Sequence, residues 1–349
     1  MNKENILSKI SKMSEEELID LARSTSDVEI LKILAVNESY EVRCAVAENM
    51  NTPVELLAVL AKDINLDVHA SVARNNNTPV EALVMLGCDK TWWVRSAVAR
   101  NKNTPIEFLT VLAQDEDWSV RSAVAWNENA PADVLAVLAK DEVYEVRYAV
   151  ATNGNTSAEV LAVLAQDKHW LVRQAVALNE NTSVDILATL AKGDIYEVRT
   201  AVAANKNTSA DTLDILAKDK YDDVRLAVAK NENTSADVLV MLASDKTWWV
   251  RSAVARSKNT PIEFIAVLAQ DEHRLVREQV ALNESTSADV LAELAKDVDF
   301  DVRYAVAGNK NTSVETLVFL SKDNNEWVSK VANDALKERK EKSKTSIER

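Results

Sequence analysis

The chain has 349 residues, of which 47% are hydrophobic and 28% charged, and its formal net charge is −14. It contains only 4 Gly and 5 Pro, whereas average usage predicts about forty such residues in a chain of this length. β-Sandwiches, barrels and α/β folds need glycine or proline at many tight turns, so the composition disfavours them and predicts an all-helical protein. Disorder is disfavoured as well, because nearly half of the residues can fill a core.

Two cysteines, Cys44 and Cys88, are too few for a disulfide framework or a metal cluster, which favours a reducing compartment. The N-terminal segment lacks the apolar stretch of a signal peptide, and no apolar run approaches 18 residues. We therefore expect a soluble, cytoplasmic protein with no membrane partner. No metal-ligand, dinucleotide, P-loop or hydrolase motif occurs, so we expect no metal, no cofactor, no catalytic residue and no enzyme activity.

A valine recurs every 26 residues without an insertion or deletion, and it defines twelve units that start with Val42, Val68 and Val94 and end with Val328. Residues 26–35 have the register of an additional half unit, and Ser14 with Glu17 forms a capping-box pattern. We interpret residues 1–39 as an N-terminal capping half-repeat.

The first half of each unit predicts a helix. Counting the valine as position 0, apolar residues recur at 0, +3 and +4, which is one helical stripe, and Asn follows at +7 in ten of twelve units. This Asn is predicted to end the helix, because Asn tolerates the left-handed conformation and can bond backbone groups. A second Asn two residues later belongs to the same turn, so the chain turns without glycine.

The second half of each unit predicts a second helix that a capping box begins, as in Thr52 with Glu55 and Thr312 with Glu315. All prolines follow such a cap position directly, which is the N1 site, where proline loses no hydrogen bond. An Asp, such as Asp63, closes nearly every unit.

Two short helices per unit cannot bury their apolar faces alone, but stacked units share one core. The sequence therefore predicts an α-solenoid of twelve two-helix repeats with terminal caps, on the order of 110 Å along its contour at ~8–10 Å per helix layer. Eleven tandem repeats span residues 40–325. Residues 326–349 form a degenerate C-terminal capping repeat and a charged tail whose last residues we expect to fray.

The string VRCAVAENMNTPVELLAVLAKD at residues 42–63, repeated in close copies over roughly residues 40–330, resembles the leucine-rich repeat variant (LRV) family. The resemblance implies a right-handed solenoid related to HEAT and armadillo repeats, with a second helix that is 3₁₀ in part. One member carries an iron–sulfur cluster domain, but its cysteine cluster is absent here, so the resemblance implies no such cofactor. It implies a fold and leaves the function open.

Positions that all units share are interpreted as scaffold. An Arg follows the valine in ten of twelve units, as in Arg43 and Arg95. These arginines could form a phosphate-binding stripe, but the equally regular Asp favours a ladder of ion pairs. The Asn ladder is likewise interpreted as structural. Position −2 holds an aromatic residue in eight units, and this regularity favours rings that pack between neighbouring first helices.

Positions −1, +2 and +6 lie on one stripe of the first helix, opposite the core, and they vary between units. Several hold large apolar residues where polar ones are expected, and two arginines share the face. Such residues are enriched in interface cores, so we predict a partner-binding stripe. We call this set the aromatic stripe; it comprises Trp93, Arg100, Trp126, Tyr148, Leu171, Leu178, Trp249, Arg256, Leu275, Leu282, Tyr304 and Trp327.

Residues 89–116 recur at residues 245–272 with three changes, a shift of 156 residues or six units. This is either a recent duplication without a selected role or a pair of equivalent sites that could hold a dimeric or repetitive partner.

We therefore predict a non-catalytic scaffold that binds a protein or peptide through the aromatic stripe. The acidic surface favours a basic partner, although capping and paired acids account for part of the charge. One alternative is self-association, in which the stripe is the interface of a structural homo-oligomer. A second is a helical-repeat protein that processes nucleic acid or a small ligand, which the charge of −14 disfavours for nucleic acid.

Overall fold

The computed structural model describes the backbone of residues 3–347 and the side chains of residues 7–341. That part of the chain is helical and contains no strand, which confirms the predicted all-α class. The chain divides into two compact units, Met1–Asn181 and Thr182–Arg349.

The helices of the first unit are α1 Lys3–Ile10, α2 Glu15–Ser24, α3 Val28–Leu34, α4 Tyr40–Glu48, α5 Val54–Leu60, α6 Leu66–Arg74, α7 Val80–Leu86, α8 Trp92–Arg100, α9 Ile106–Leu112, α10 Trp118–Trp126, α11 Ala132–Leu138, α12 Tyr144–Thr152, α13 Ala158–Leu164 and α14 Trp170–Leu178. Those of the second unit are α15 Val184–Leu190, α16 Tyr196–Ala204, α17 Ala210–Leu216, α18 Asp222–Lys230, α19 Ala236–Leu242, α20 Trp248–Arg256, α21 Ile262–Leu268, α22 Arg274–Leu282, α23 Ala288–Leu294, α24 Phe300–Gly308, α25 Val314–Leu320 and α26 Glu326–Ile347.

Each repeat pairs a first helix of nine residues, such as α8, with a second helix of seven residues, such as α9. In each unit the first helices of successive repeats pack directly against one another, and the second helices lie against the first helices that flank them. The core side chains come from both helices, for example Val94, Val98 and Leu109, which are fully buried. The predicted α-solenoid repeat is thus present in each unit. The second helices are α-helical, with 3₁₀-type bonds after their last turn, such as Lys62 N–H to the Val59 carbonyl at 3.0 Å.

The Asn at position +7 turns the chain in a different way from the one predicted. Asn127 ends α10 with φ −71° and ψ 126°, and no described residue has a positive φ, so the left-handed turn was wrong. Its side-chain amide instead donates to the carbonyls of Ala99 at 2.7 Å and Asn101 at 3.1 Å in the preceding repeat. Its Oδ1 accepts the backbone N–H of Asn129 at 2.8 Å. An extended turn that side chains hold needs no glycine, which explains the composition.

The threonine before the second helix does not cap it, contrary to the sequence prediction. Thr52 is buried, and its hydroxyl donates to the carbonyl of Val46 in the last turn of α4, at 2.5 Å. A buried hydroxyl needs a partner, and the Val46 carbonyl, which also accepts the backbone N–H of Asn49 at 3.2 Å, supplies it. The cap lies one residue later, at proline or serine: Pro53 precedes α5, and Ser157 caps α13 by accepting the N–H of Val160. The prolines are therefore at the cap position rather than at N1. The N-terminal box of Ser14 and Glu17 forms as predicted.

The last helix, α26, runs to Ile347, and the expected fraying of the last residues stays a prediction. Residues 348 and 349 lie outside the described part of the chain. Arg339 donates to the carbonyls of Thr312 at 2.5 Å and Lys310 at 2.9 Å. A further repeat would place an asparagine amide on these two carbonyls, as Asn311 does on those of Glu284 and Thr286. This arrangement supports the interpretation of residues 326–349 as a cap, which stays a prediction.

Candidate functional site

The first helices expose one narrow face. In α8 the side chains at positions 0, +1, +3, +4 and +5 are buried, whereas Trp93 at −1 and Arg100 at +6 are exposed and Ser96 at +2 is half-buried. Trp92 at −2 is exposed as well, and the core valine and alanine side chains and the ladder arginine occupy the rest of the helix surface. Variation between repeats is therefore concentrated on the part of the helix that faces solvent.

In the first unit the aromatic stripe crosses four successive first helices, from α8 to α14. Trp93, Trp126 and Leu178 are 38%, 39% and 56% exposed, and Tyr148 and Leu171 are half-buried. The rings of Trp126 and Tyr148 meet edge to face across α10 and α12, with centroids 6.1 Å apart. Aromatic pairs favour this edge-to-face geometry. These two residues are thus brought together by the fold, although they are 22 positions apart in the sequence.

In the second unit the stripe includes Trp249, Arg256, Leu282, Tyr304 and Trp327, all of which are exposed. Leu275 is half-buried. Each of the two tryptophan pairs of the duplicated segment is also edge to face, with centroids 5.8 Å apart in Trp92–Trp93 and 5.5 Å apart in Trp248–Trp249. The duplicated segment therefore presents the same tryptophan and arginine surface in each unit.

The rings at position −2 pack differently from the predicted ladder. Where position −3 of the next repeat carries a ring, the two rings stack face to face. The stacked pairs are Tyr144–His169 at 3.7 Å, Tyr196–Tyr221 at 4.4 Å and Trp248–His273 at 4.0 Å between centroids. Other rings at this position, such as Trp92 and Phe300, remain exposed. The ring at −2 therefore stacks on the next repeat where that repeat supplies a ring at −3.

The arginine ladder is engaged in ion pairs, as predicted. In nine repeats the Arg donates through Nε and Nη2 to both oxygens of the Asp twenty residues later. The Nε–Oδ2 distances are 2.5–2.7 Å, and Nη1 donates to a carbonyl of the preceding turn. Burial alone would raise the pKa of Asp141, but hydrogen bonds from Arg121 and the backbone amide of Val143 outweigh it and hold that pKa below its ordinary value. Guanidinium groups held in this way do not form a free phosphate-binding stripe.

One repeat has a histidine in the ladder. His69 contacts Asp89 through Nδ1 at 3.1 Å, where nine other repeats have a bidentate arginine. Among the described side chains, its Nε2 is buried without a hydrogen-bond partner. The imidazole thus replaces only part of the bonding that arginine supplies.

The repeat has counterparts among known proteins. Residues 92–117, one full period of the chain, match the model of the family "Leucine rich repeat variant". This period of the chain is similar to a leucine-rich repeat variant. Among solved structures, the chain is similar to "a leucine-rich repeat variant with a novel repetitive protein structural motif", with 28% identity over 63% of this chain and 87% of that chain and a TM-score of 0.49.

A second similar structure is importin beta, with 12% identity over 95% of this chain and a TM-score of 0.41. This chain covers 58% of the length of that importin chain. No curated protein matches the chain.

The repeats also expose a second apolar stripe, which the sequence analysis missed. It lies at position +17, on the outer face of the second helices, and we call it the outer stripe. Its side chains are 39–64% exposed, whereas the Leu two positions earlier, or Ile265 before Val267, is fully buried. The signal was an apolar residue recurring at +17 in nine of the eleven second helices that follow a first helix. The members are Val59, Met85, Val111, Val137, Val163, Ile215, Met241, Val267 and Phe319.

Among the residues that the structure describes, no group of three or more His, Cys, Asp or Glu side chains is arranged to hold a metal ion. No described helix is long and apolar enough to cross a bilayer.

Proposed function

We propose that the chain is a non-catalytic scaffold that binds a protein or peptide through the aromatic stripe on its first helices. One observation carries this proposal: the solvent-facing positions of the first helices are the variable ones, and they hold large apolar side chains. Trp93 and Trp249, for example, are 38% and 39% exposed. A solvent-facing helix position without a partner favours a polar side chain instead.

The chemistry of the stripe suits a protein interface. Tryptophan, tyrosine and arginine are the residues that most often dominate binding energy, because they bury a large area with few rotatable bonds or form several hydrogen bonds. The Trp126–Tyr148 pair, with Leu178 in the same unit, supplies apolar area, and Arg100 adds a charged group at the edge. Contiguous apolar surface of this kind is uncommon on a monomer unless something binds it.

The net charge of the chain comes from residues outside the arginine ladder. Each of the nine ladder pairs joins one Arg to one Asp and contributes no net charge, so the whole of the −14 belongs to the remaining residues. A basic protein partner, no nucleic acid and no membrane remain our expectation for the surface as a whole.

The test uses the duplicated tryptophans. Trp93→Ala with Trp249→Ala removes one stripe tryptophan from each unit, and we expect this variant to lose the partner that wild-type protein retains from native extract. Because both side chains face solvent, its melting temperature should change little. The matched control is Val111→Ala with Val267→Ala, which removes two outer-stripe side chains that are also related by the duplication and are 61% and 62% exposed.

Light scattering against concentration distinguishes the self-association alternative. A monomeric wild type that loses its partner in the tryptophan variant alone supports the proposal. A wild-type dimer that becomes monomeric in the tryptophan variant would assign the stripe to a homo-oligomer. Equal recovery of the same partner by both variants and the wild type would contradict a binding role for the stripe.

A further inference from the structure

The two copies of the duplicated segment differ at a ladder position. Residues 89–116 and 245–272 differ at only three places, and one of these is Asn101 in the first copy against Ser257 in the second. Asn101 is 4% exposed, and its amide donates to the carbonyls of Ala73 at 2.7 Å and Asn75 at 2.9 Å. The corresponding carbonyls in the second unit are those of Ala229 and Asn231.

Ser257 does not replace these bonds. Its hydroxyl accepts the N–H of Asn259 at 3.3 Å, which reproduces only the acceptor half of the asparagine side chain. Within the described part of the chain, the carbonyls of Ala229 and Asn231 receive no side-chain amide, while Asn231 keeps its backbone bond from Thr234. A carbonyl left in this way favours a donor from outside the repeat, either a water O–H or an N–H of a ligand.

The shorter side chain coincides with an open pocket of about 740 Å³ at the C-terminal ends of α18 and α20. Lys230, Arg256 and Lys258 line it, together with a single acidic residue, Glu232, and the backbone of Ala229 and Asn231. The three cations are exposed. The pocket is therefore locally basic in a chain whose net charge is −14.

We propose that this pocket binds an acidic peptide segment of the partner, with a carboxylate on Arg256 and the lysines and a peptide N–H on the free carbonyl of Ala229. The inference rests on the proposed function, since it assigns the chemistry of one part of the same binding face. Arginine pairs with carboxylates in a bidentate way, and a peptide, unlike an isolated anion, carries the N–H donors that the carbonyls need.

The surroundings favour an acidic segment with an apolar residue beside the carboxylate. Trp249 lies on the same face of α20 as Arg256, two turns earlier, and Leu282 is exposed at the corresponding end of α22. The next acidic side chain along the turns, Glu284, is paired with Lys310 at 2.8 Å. A nucleic acid would meet the same cations, but the acidic surface of the chain opposes a polyanion far more than a short peptide.

The experiment measures fluorescence anisotropy of the full chain with a labelled hexapeptide of glutamates around a central leucine–phenylalanine pair, at ~150 mM salt. The comparison probes are the same peptide with glutamine for glutamate, the same peptide with lysine for glutamate, and single-stranded DNA. We expect the acidic peptide to bind at least about tenfold more tightly than the other three.

Ser257→Asn places an asparagine amide on the carbonyls of Ala229 and Asn231 again, as in the other repeats. This variant should therefore be at least as stable as wild type, while the longer side chain fills the pocket. We expect both Ser257→Asn and Arg256→Gln to weaken binding of the acidic peptide at least about tenfold. Asn101→Ser creates the same defect next to Arg74, Arg100 and Lys102, and we expect it to add a second binding site per chain. Circular dichroism checks that each variant is folded.

Binding of the acidic peptide that Ser257→Asn leaves unchanged, or tighter binding of the glutamine peptide or the DNA, would overturn the inference. Binding of the native partner distinguishes failure of the pocket assignment from failure of the proposed function. If wild type retains that partner through Trp93 and Trp249 but no acidic peptide binds, the pocket assignment fails and the proposed function stands. If the tryptophan variant also keeps its partner, the proposed function fails too.

Discussion

Replacement of Arg121 by Leu is expected to lower the free energy of unfolding by about 3–5 kcal/mol. The Arg121 and Asp141 side chains are 14% and 8% exposed, and they share two hydrogen bonds at 2.6 and 3.0 Å. Removing the guanidinium leaves the Asp141 carboxylate buried without its counter-charge, and the carbonyls of Asp115 and Glu116 lose a donor. Urea denaturation followed by circular dichroism measures the change.

The control is Lys218→Ala, which breaks an exposed pair with Asp214 at 3.0 Å and should cost at most about 0.5 kcal/mol.

A companion variant, Asp141→Asn, tests how the contribution of the ion pair to stability depends on pH. Because the folded pKa of Asp141 is lowered, the pair contributes its stability above the ordinary aspartate pKa and loses it as the pH falls through the folded value. The difference between wild type and Asp141→Asn should therefore shrink on acidification below about pH 4. A difference that is the same at neutral and at low pH would contradict the ion-pair account.

Asn127→Ala is expected to lower the free energy of unfolding by about 2–4 kcal/mol, because a lost partner costs about 1–3 kcal/mol for each buried group. Asn127 is 3% exposed, and its side chain bonds the carbonyls of Ala99 and Asn101 and the N–H of Asn129. The alanine variant leaves these groups in a buried turn without a replacement. Urea denaturation again provides the measurement.

The matched control is Asn129→Ala in the same turn. This side chain is exposed, and its amide donates to the carbonyl of Lys102 at 2.8 Å, a bond that water can replace, so we expect a loss of less than about 1 kcal/mol. Asn127→Ser should fall between the two alanine variants, since serine keeps the acceptor, as Ser257 does. Equal losses from Asn127→Ala and Asn129→Ala would show that burial of the ladder is not what stabilises the turn.

Much of the fold could be predicted from the sequence because the repeat has one constant length. The spacing of Val94, Val98 and Leu109 reports burial directly, and these side chains are fully buried. The pairing of Arg and Asp could be predicted as well, because a buried arginine needs a carboxylate and the closing aspartate was the carboxylate that recurred as regularly as the arginine. Both predictions depended on periodicity within one chain.

The turns could not be predicted in detail, because several local geometries fit the same residues. Thr52 followed by Pro53 fits both a threonine cap with proline at N1 and a proline cap after a threonine that bonds the previous helix. The contact with Val46 decides between them, and that contact depends on how deeply the turn is buried. Asn127 bonds carbonyls of the preceding repeat, 28 and 26 residues earlier, which local turn preferences do not describe.

The candidate site shows the same division. Helical periodicity predicted that Trp93, Trp126 and Trp249 face solvent, and they are 38–39% exposed. It did not reveal the contact of Trp126 with Tyr148, which depends on how α10 and α12 pack, nor the pocket beside Ser257, which depends on bonds missing between repeats. The outer stripe was missed because Val111 and Val137 follow the apolar spacing of a core helix, and only their exposure separates them from it.

The measurement that tests the account most directly is site-specific photo-crosslinking in native extract. A photoreactive side chain is placed at Trp126 or Leu178 in the aromatic stripe, and at Val137 or Val163 in the outer stripe, all within the first unit. These four residues are 39%, 56%, 64% and 59% exposed, so exposure alone would favour crosslinking from the outer stripe. If the aromatic stripe binds the partner, we expect one partner protein to be crosslinked from Trp126 and Leu178 and not from Val137 or Val163. Crosslinking of that partner only from the outer stripe, or of a second copy of this chain from the aromatic stripe, would contradict it.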